Sequence, residues 1–226
     1  MLERLFTKVF QRLYVPPTER ELMMDRAMRL AAHPRFGPIP GDYLEFGVRR
    51  GKSLIWAYHR AQKYSMNGMR FFAFDSFQGL PPVAGIDHED KQFKEGEYAC
   101  TEEEMRINLR HSGVDLGKVV TVPGWYHETL TEATKRKLNL KSAAVVMVDC
   151  DLYSSAVPVL NFISDLVVDG TLIMFDDWFC FRASPQKGEQ RAFGEWLTNN
   201  PSITTTEYYR YWPFGNTFIL HRDRSA

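Results

Sequence analysis

The sequence predicts an α/β domain built on a seven-stranded, mostly parallel sheet with helices on both faces. Two observations carry this. From residue 43 onward short apolar runs alternate with segments of helical periodicity, the pattern of repeated βαβ units. The last two apolar runs are joined by 211–216, too short for a crossover helix, so they should pair antiparallel at the sheet edge. A length of 226 residues suits one domain of this class with modest additions.

The elements follow in order. Leu2, Leu5, Phe6, Val9, Phe10 and Leu13 recur at helical spacing among charged residues, so Met1 to Tyr14 reads as an amphipathic helix rather than a signal peptide. Its apolar face could pack on the domain body, on a second copy of the chain, or on a membrane surface. Pro16-Pro17 ends it, 19–32 is a second helix, and the prolines of 33–40 make a loop. We expect 1–40 to be a helical extension and 41–226 the main domain. Strands are predicted at 43–48, 71–74, 119–122, 143–148, 171–175, 204–210 and 217–221, the last two being short. Helices are predicted at 53–64, 101–111, 128–138, 155–167 and 189–198, with Thr101 and Glu104 in capping-box positions. The stretch 80–100, rich in Pro, Gly and charge, reads as a mobile lid with little apolar surface to anchor it.

Composition excludes several classes. The chain has 28 Lys plus Arg and 28 Asp plus Glu, so no basic surface points to nucleic acid. No apolar run reaches the ~18 residues of a membrane span. Three cysteines, Cys100, Cys150 and Cys180, lack metal-knuckle spacing and read as reduced thiols of a cytoplasmic protein.

Glu45-Phe46-Gly47-Val48-Arg49-Arg50-Gly51 follows an apolar strand and opens a helix. Its glycines let the backbone turn tightly and approach a ligand. The spacing departs from G-x-G-x-x-G, which argues against a nicotinamide oxidoreductase. Asp75 ends the next strand, where an acid can accept hydrogen bonds from both hydroxyls of a ribose. Together these suggest an adenosine-type cofactor without a pyrophosphate cradle. Asp149-Cys150-Asp151 and Asp176-Asp177 each close an apolar strand. Four carboxylates at one sheet edge repel one another unless protons or a cation neutralise them. All-oxygen ligands select a hard cation: Mg²⁺, with Mn²⁺ or Ca²⁺ as alternatives.

Five segments resemble the macrocin and mycinamicin O-methyltransferase family: Asp42-Tyr43-Leu44-Glu45-Phe46-Gly47-Val48, Phe74-Asp75-Ser76-Phe77-Gln78-Gly79-Leu80-Pro81, Pro123-Gly124-Trp125-Tyr126, Val148-Asp149-Cys150-Asp151-Leu152-Tyr153-Ser154 and Phe175-Asp176-Asp177-Trp178. The resemblance implies a Rossmann-like class I methyltransferase fold binding S-adenosyl-L-methionine, with Mg²⁺ on Asp151, Asp176 and Asp177. It implies Glu45 and Gly47 near the methionine end of the cofactor, Asp75 at the ribose, and Gly124 and Trp125 at the adenine. Ser53, Ser76 and Asp149 complete the expected cofactor set. The family's typical acceptors are sugar hydroxyls of natural products. The expected reaction is methylation of a vicinal diol, a sugar or catechol, with Asp151 or His127 taking the proton. Trp178, Phe179, Phe181 and Tyr153 are candidates for an apolar acceptor wall. A metal-independent methyltransferase and a non-catalytic cofactor-binding protein are the competing readings.

Overall fold

The computed structural model describes residues 17–88 and 92–222. The expected helix at Met1 to Tyr14, and with it any second copy or membrane surface it would meet, lies outside them. The elements are α1 (Glu19–Ala31), β1 (Asp42–Phe46), α2 (Lys52–Lys63), β2 (Phe71–Asp75), α3 (Glu102–His111), β3 (Val119–Pro123), α4 (Tyr126–Thr129), α5 (Glu132–Leu138), β4 (Ala143–Val148), α6 (Tyr153–Ile163), β5 (Val167–Phe175), α7 (Gly188–Asn199), β6 (Ile203–Tyr211) and β7 (Gly215–Arg222).

One seven-stranded sheet runs in the order β3-β2-β1-β4-β5-β7-β6. β7 pairs antiparallel with both β5 and β6, and the remaining strands are parallel. β1 and β4 are buried along their whole length, as a parallel strand covered on both faces must be. Side chains alternate between two cores. Val145 and Met147 of β4 face Met23, Met28, Leu54, Ala57, Met105 and Leu109, whereas Val146 and Val148 face Ala156, Leu160, Phe193 and Trp196.

α1 is stitched into this body. Thr18 Oγ1 accepts from Glu21 N at 3.3 Å, and Met23, Met24, Ala27, Met28 and Ala31 are buried on one face. Across its polar face Asp25 pairs with Arg60 and Lys63 at 2.8 and 2.9 Å. The helix therefore completes the sheet's core.

Several boundaries differ from the sequence expectation for local reasons. The helix expected at 128–138 is two, because Thr131 starts afresh as an N-cap, accepting from Thr134 N at 3.1 Å. β6 and β7 run nine and eight residues, longer than expected, because each pairs along its length with the other. The capping box of Thr101 and Glu104 forms as read. The loop after β2 is better anchored than its composition suggests. Asp87, 2% exposed, accepts from Tyr153 N at 2.8 Å and Ser154 N at 3.0 Å, capping α6 from 66 residues away. Leu80 and Phe93 pack with Leu152, Cys180 and Phe181 into a small third core.

Register positions the site. Phe46 pairs with Phe74 and Val148, Val148 with Phe175, and Asp75 with Pro123. Gly47, Asp75, Asp149 and Asp176 therefore stand in one row at the carboxyl edge of the sheet, where open α/β sheets bind ligands.

Candidate active site

Above that row lies a cavity of about 720 Å³, roofed by Gly79 to Pro82 and Glu97-Tyr98 and closed at one side by Thr18 to Arg20. Of the site residues expected from sequence, Gly47, Ser53, Asp75, Ser76, Gly124, Trp125, His127, Asp149, Asp151, Asp176 and Asp177 line it. Glu45 does not. It is fully buried behind the cavity, where its carboxyl accepts from Tyr43 Oη at 2.6 Å and Ser53 Oγ at 2.5 Å.

Burial raises the Glu45 carboxyl to about 8, against the hydrogen bonds from Ser53 and Tyr43. A folded value above the unfolded one means that the protonated form is the stabilised one. Its contribution is complete below the ordinary glutamate value and disappears as pH rises through about 8. Glu45→Gln should therefore show a shallower fall in melting temperature between pH 5 and 8.5 than the parent. Parallel curves for the two proteins would show that Glu45 is ionised in the fold.

Gly47 adopts φ +85°, and a Cβ there would lie 1.7 Å from the Asp149 carbonyl oxygen, so the β1 and β4 ends meet closely only because the residue is glycine. Asp75 knits the neighbouring loops: Val48 N and Arg49 N donate to Oδ2 at 2.7 and 2.8 Å, and Phe77 N to Oδ1 at 2.7 Å. Three of its roughly four acceptor positions are thus engaged. The Ser76 hydroxyl donates to the Gly79 carbonyl at 3.0 Å and accepts from Gln78 N at 3.0 Å, fixing the turn that begins the roof.

Asp149, Asp151 and Asp177 each offer a carboxylate oxygen, all within 4.8 Å of one another. Burial, then the charges of Asp177 and Asp149, push Asp151 up to about 9. Burial and the Asp177 charge push Asp149 to about 7, and burial also raises Asp177. Asp151 itself has φ +61°, with Leu152 N donating to the Cys150 carbonyl across it at 2.6 Å, a tight and costly turn. Asp176 is arranged differently from the expected ligand triad. Its Oδ2 is ion-paired with Arg20 Nη2, and Arg20 Nη1 lies 4.0 Å from Asp149.

The donor set suits a hard cation. Asp176 Oδ1 and Asp177 Oδ2 are buried and have no hydrogen-bond partner among the described residues. A carboxylate oxygen left so is costly unless a cation meets it. Glu189, 1% exposed and unseen in the sequence reading, supports the cluster from behind by accepting from Asp177 N at 3.1 Å.

Other placements separate from the sequence reading. His127 is exposed, 3.8 Å from Glu128, just past β3 and three strand positions from the β4 carboxylates. The proposed aromatic wall is elsewhere too. Trp178 packs on Phe175, Phe193 and Phe218, Phe181 on Phe93, and Tyr153 donates to Glu195 at 2.7 Å. Neither these three nor Phe179 lines the cavity; Trp56, Tyr98, Tyr126 and Trp212 do.

A mixed sheet in this order, with one antiparallel strand and a cavity over its carboxyl edge, is the fold of a Rossmann-like class I methyltransferase. The chain belongs to the macrocin O-methyltransferase (TylF) family, whose model matches residues 23–192. It is 31% identical over 160 residues to demethyldecarbamoylnovobiocin O-methyltransferase of Streptomyces niveus, 68% of this chain and 59% of that protein. It is 30% identical over 145 residues to 8-demethyl-8-(2,3-dimethoxy-α-L-rhamnosyl)-tetracenomycin-C 4′-O-methyltransferase of Streptomyces olivaceus, 62% and 54% of the two chains. The matched part thus spans little more than half the length of these curated relatives. Among solved structures, the O-methyltransferase NovP shares the fold with a TM-score of 0.73 at 23% identity, covering 91% of this chain and 80% of that one. Among the described residues no helix is long and apolar enough to cross a membrane.

Proposed function

We propose that this protein is a metal-dependent O-methyltransferase that moves a methyl group from S-adenosylmethionine to a hydroxyl of a sugar-bearing natural product or a similar vicinal diol. Family membership supports the reaction class, and the relatives' named substrates support the acceptor class. The observation that carries the metal is the carboxylate cluster with its two unpartnered buried oxygens, open to the same cavity as the Gly47 turn.

S-adenosylmethionine supplies an electrophilic methyl on a sulfonium, and the chain's task is to hold a nucleophilic oxygen in line with it. In this reading the Gly47 turn, Ser53, Asp75, Ser76, Gly124, Trp125 and Asp149 contact the cofactor along the β3–β4 side of the cavity. Glu45 works indirectly by bracing Ser53. Asp151 and Asp177, with Asp176 Oδ1, would hold the cation, which supplies Lewis acidity to a chelated hydroxyl. Asp151 accepts the hydroxyl proton. At neutral pH it can do so only with positive charge beside it, because burial and its neighbours otherwise keep it protonated. His127, at the β3 end of the same cavity and three strand positions from β4, is given no proton-transfer role in this reading.

The test is methyl transfer to a rhamnoside or a catechol, measured by mass spectrometry with and without a chelator. Turnover should vanish with EDTA and return with excess Mg²⁺, while calorimetric binding of S-adenosylhomocysteine stays nearly unchanged. Full turnover after thorough chelation would assign the chain to the metal-independent class, and absent cofactor binding would remove the methyltransferase reading altogether.

A further inference from the structure

We propose that Tyr98 and Trp212 are the two walls of an acceptor slot that grips the sugar ring of a glycoside and presents its hydroxyl edge to Asp151 and Asp177. The inference rests on the methyltransferase reading above and deepens it. Strand order divides the cavity. The expected cofactor contacts lie at the β3, β2, β1 and β4 ends, and the carboxylates at β4 and β5, so what remains for an acceptor is the side toward the β6–β7 turn.

Trp212 stands at that turn with 73% of its surface exposed, on a cavity-lining position. The residues flanking it tie the turn to the carboxylate strand: Tyr211 Oη donates to the Phe175 carbonyl at 2.8 Å, just before Asp176, and Phe179 N, two residues after Asp177, donates to the Phe214 carbonyl at 2.8 Å. A large apolar side chain fixed by its neighbours yet left bare is the informative kind of exposure. Tyr98, 46% exposed, also lines the cavity, with the Arg49 guanidinium 5.1 Å from its ring. Its loop is pinned to the roof by Leu80 N donating to the Glu97 carbonyl at 3.0 Å and Gly96 N to the Leu80 carbonyl at 2.9 Å. Burial, then the charges of Asp151, Glu97 and Asp177, raise its phenol above the ordinary tyrosine value.

Aromatic walls want an apolar ring face, and carboxylates want hydroxyl donors. A pyranose has both, a C–H face carrying partial positive charge toward the π-cloud and a polar hydroxyl edge. The apolar surface continues outward from Trp212 to Phe214, 44% exposed with its ring 6.3 Å away. A lone catechol would leave that surface bare, whereas a sugar carrying an apolar aglycone would cover it.

The experiment uses the full chain saturated with S-adenosylhomocysteine and Mg²⁺, with saturation-transfer NMR and titration of p-nitrophenyl α-L-rhamnopyranoside, methyl α-L-rhamnopyranoside and catechol. The rhamnosides should receive saturation at their ring C–H protons, the p-nitrophenyl glycoside binding more tightly than the methyl one. Trp212→Ala and Tyr98→Ala should each weaken the p-nitrophenyl glycoside at least tenfold, and Trp212→Phe should restore binding to within about threefold. Melting temperature and S-adenosylhomocysteine affinity should stay at parent values, which a merely structural Trp212 would not allow. Cofactor binding without glycoside binding, unchanged glycoside affinity in Trp212→Ala, or Trp212-dependent binding of catechol alone would each overturn the inference while leaving the methyltransferase reading intact. Failure to bind S-adenosylhomocysteine would sink both.

Discussion

Asp151→Asn is expected to lower kcat by about 10²–10⁴-fold, the range for removal of a general base. Asparagine keeps the size of the side chain and tolerates the left-handed backbone at this position, where φ is +61°. The fold should therefore survive, and S-adenosylhomocysteine affinity should change by less than about twofold if the cofactor contacts lie along the other strand ends. Two effects are separable by titrating Mg²⁺. The amide is a weaker metal ligand, so part of the loss should return with excess cation. The remainder should not, because an amide takes no proton. Asp177→Asn provides the contrast: if Asp177 only ligates, excess Mg²⁺ should recover more of its activity than it does for Asp151→Asn. Asp177→Asn also removes a charge that, after burial, raises Asp149 and Asp151 above their ordinary range, so its metal-free melting temperature should stay level or rise. A kcat within tenfold of the parent for Asp151→Asn would place the base on another residue.

How much of this was legible in the sequence depended on how far apart the interacting residues lie. The strands were readable because parallel strands buried on both faces are continuous apolar runs, as at Ala143–Val148. Their acidic endings were readable because a charge closing such a run must emerge at the sheet's edge. Register then brought Gly47, Asp75, Asp149 and Asp176 into one row. Long-range partners left no such trace. Arg20 precedes Asp176 by 156 positions on a helix with an ordinary amphipathic pattern, and nothing local marks it as the partner of a buried carboxylate. Asp87 lies in the stretch 80–100 that reads as a mobile lid, yet it caps α6. The aromatic wall was misplaced because adjacency to Asp177 was taken as facing the same space. Trp178 instead turns into the core against Phe175, Phe193 and Phe218, and the exposed ring at the cavity comes from the β6–β7 turn. Glu45 was placed near the cofactor by motif position, whereas its burial makes it a brace for Ser53.

Gly47→Ala should be strongly destabilising. The left-handed conformation at φ +85° costs an L-residue about 1–2 kcal/mol. The steric term is larger, because the added carbon would meet Asp149 backbone atoms, its carbonyl oxygen at 1.7 Å and carbon at 2.7 Å, rather than a side chain that can rotate. Relief requires the ends of β1 and β4 to part. Gly47 N is bonded to the Phe74 carbonyl at 3.0 Å on one side, and Asp149 N to the Phe46 carbonyl at 2.8 Å on the other. Overpacking of this kind adds about 1–3 kcal/mol, so a total near 2–5 kcal/mol is expected in urea unfolding. Gly51→Ala is the control. It shares a left-handed conformation, φ +78°, but its new carbon would meet side-chain atoms, Leu109 Cδ2 at 2.9 Å and Met105 Cγ at 3.3 Å, rather than backbone, so its cost should be clearly smaller. Because the Gly47 turn also carries Val48 N and Arg49 N to Asp75, the substitution should abolish S-adenosylhomocysteine binding even where folded protein remains. Equal stability losses for the two alanine variants, or parent-like cofactor affinity in Gly47→Ala, would show that the β1 and β4 ends can separate freely and that the close approach at Gly47 does not shape the site.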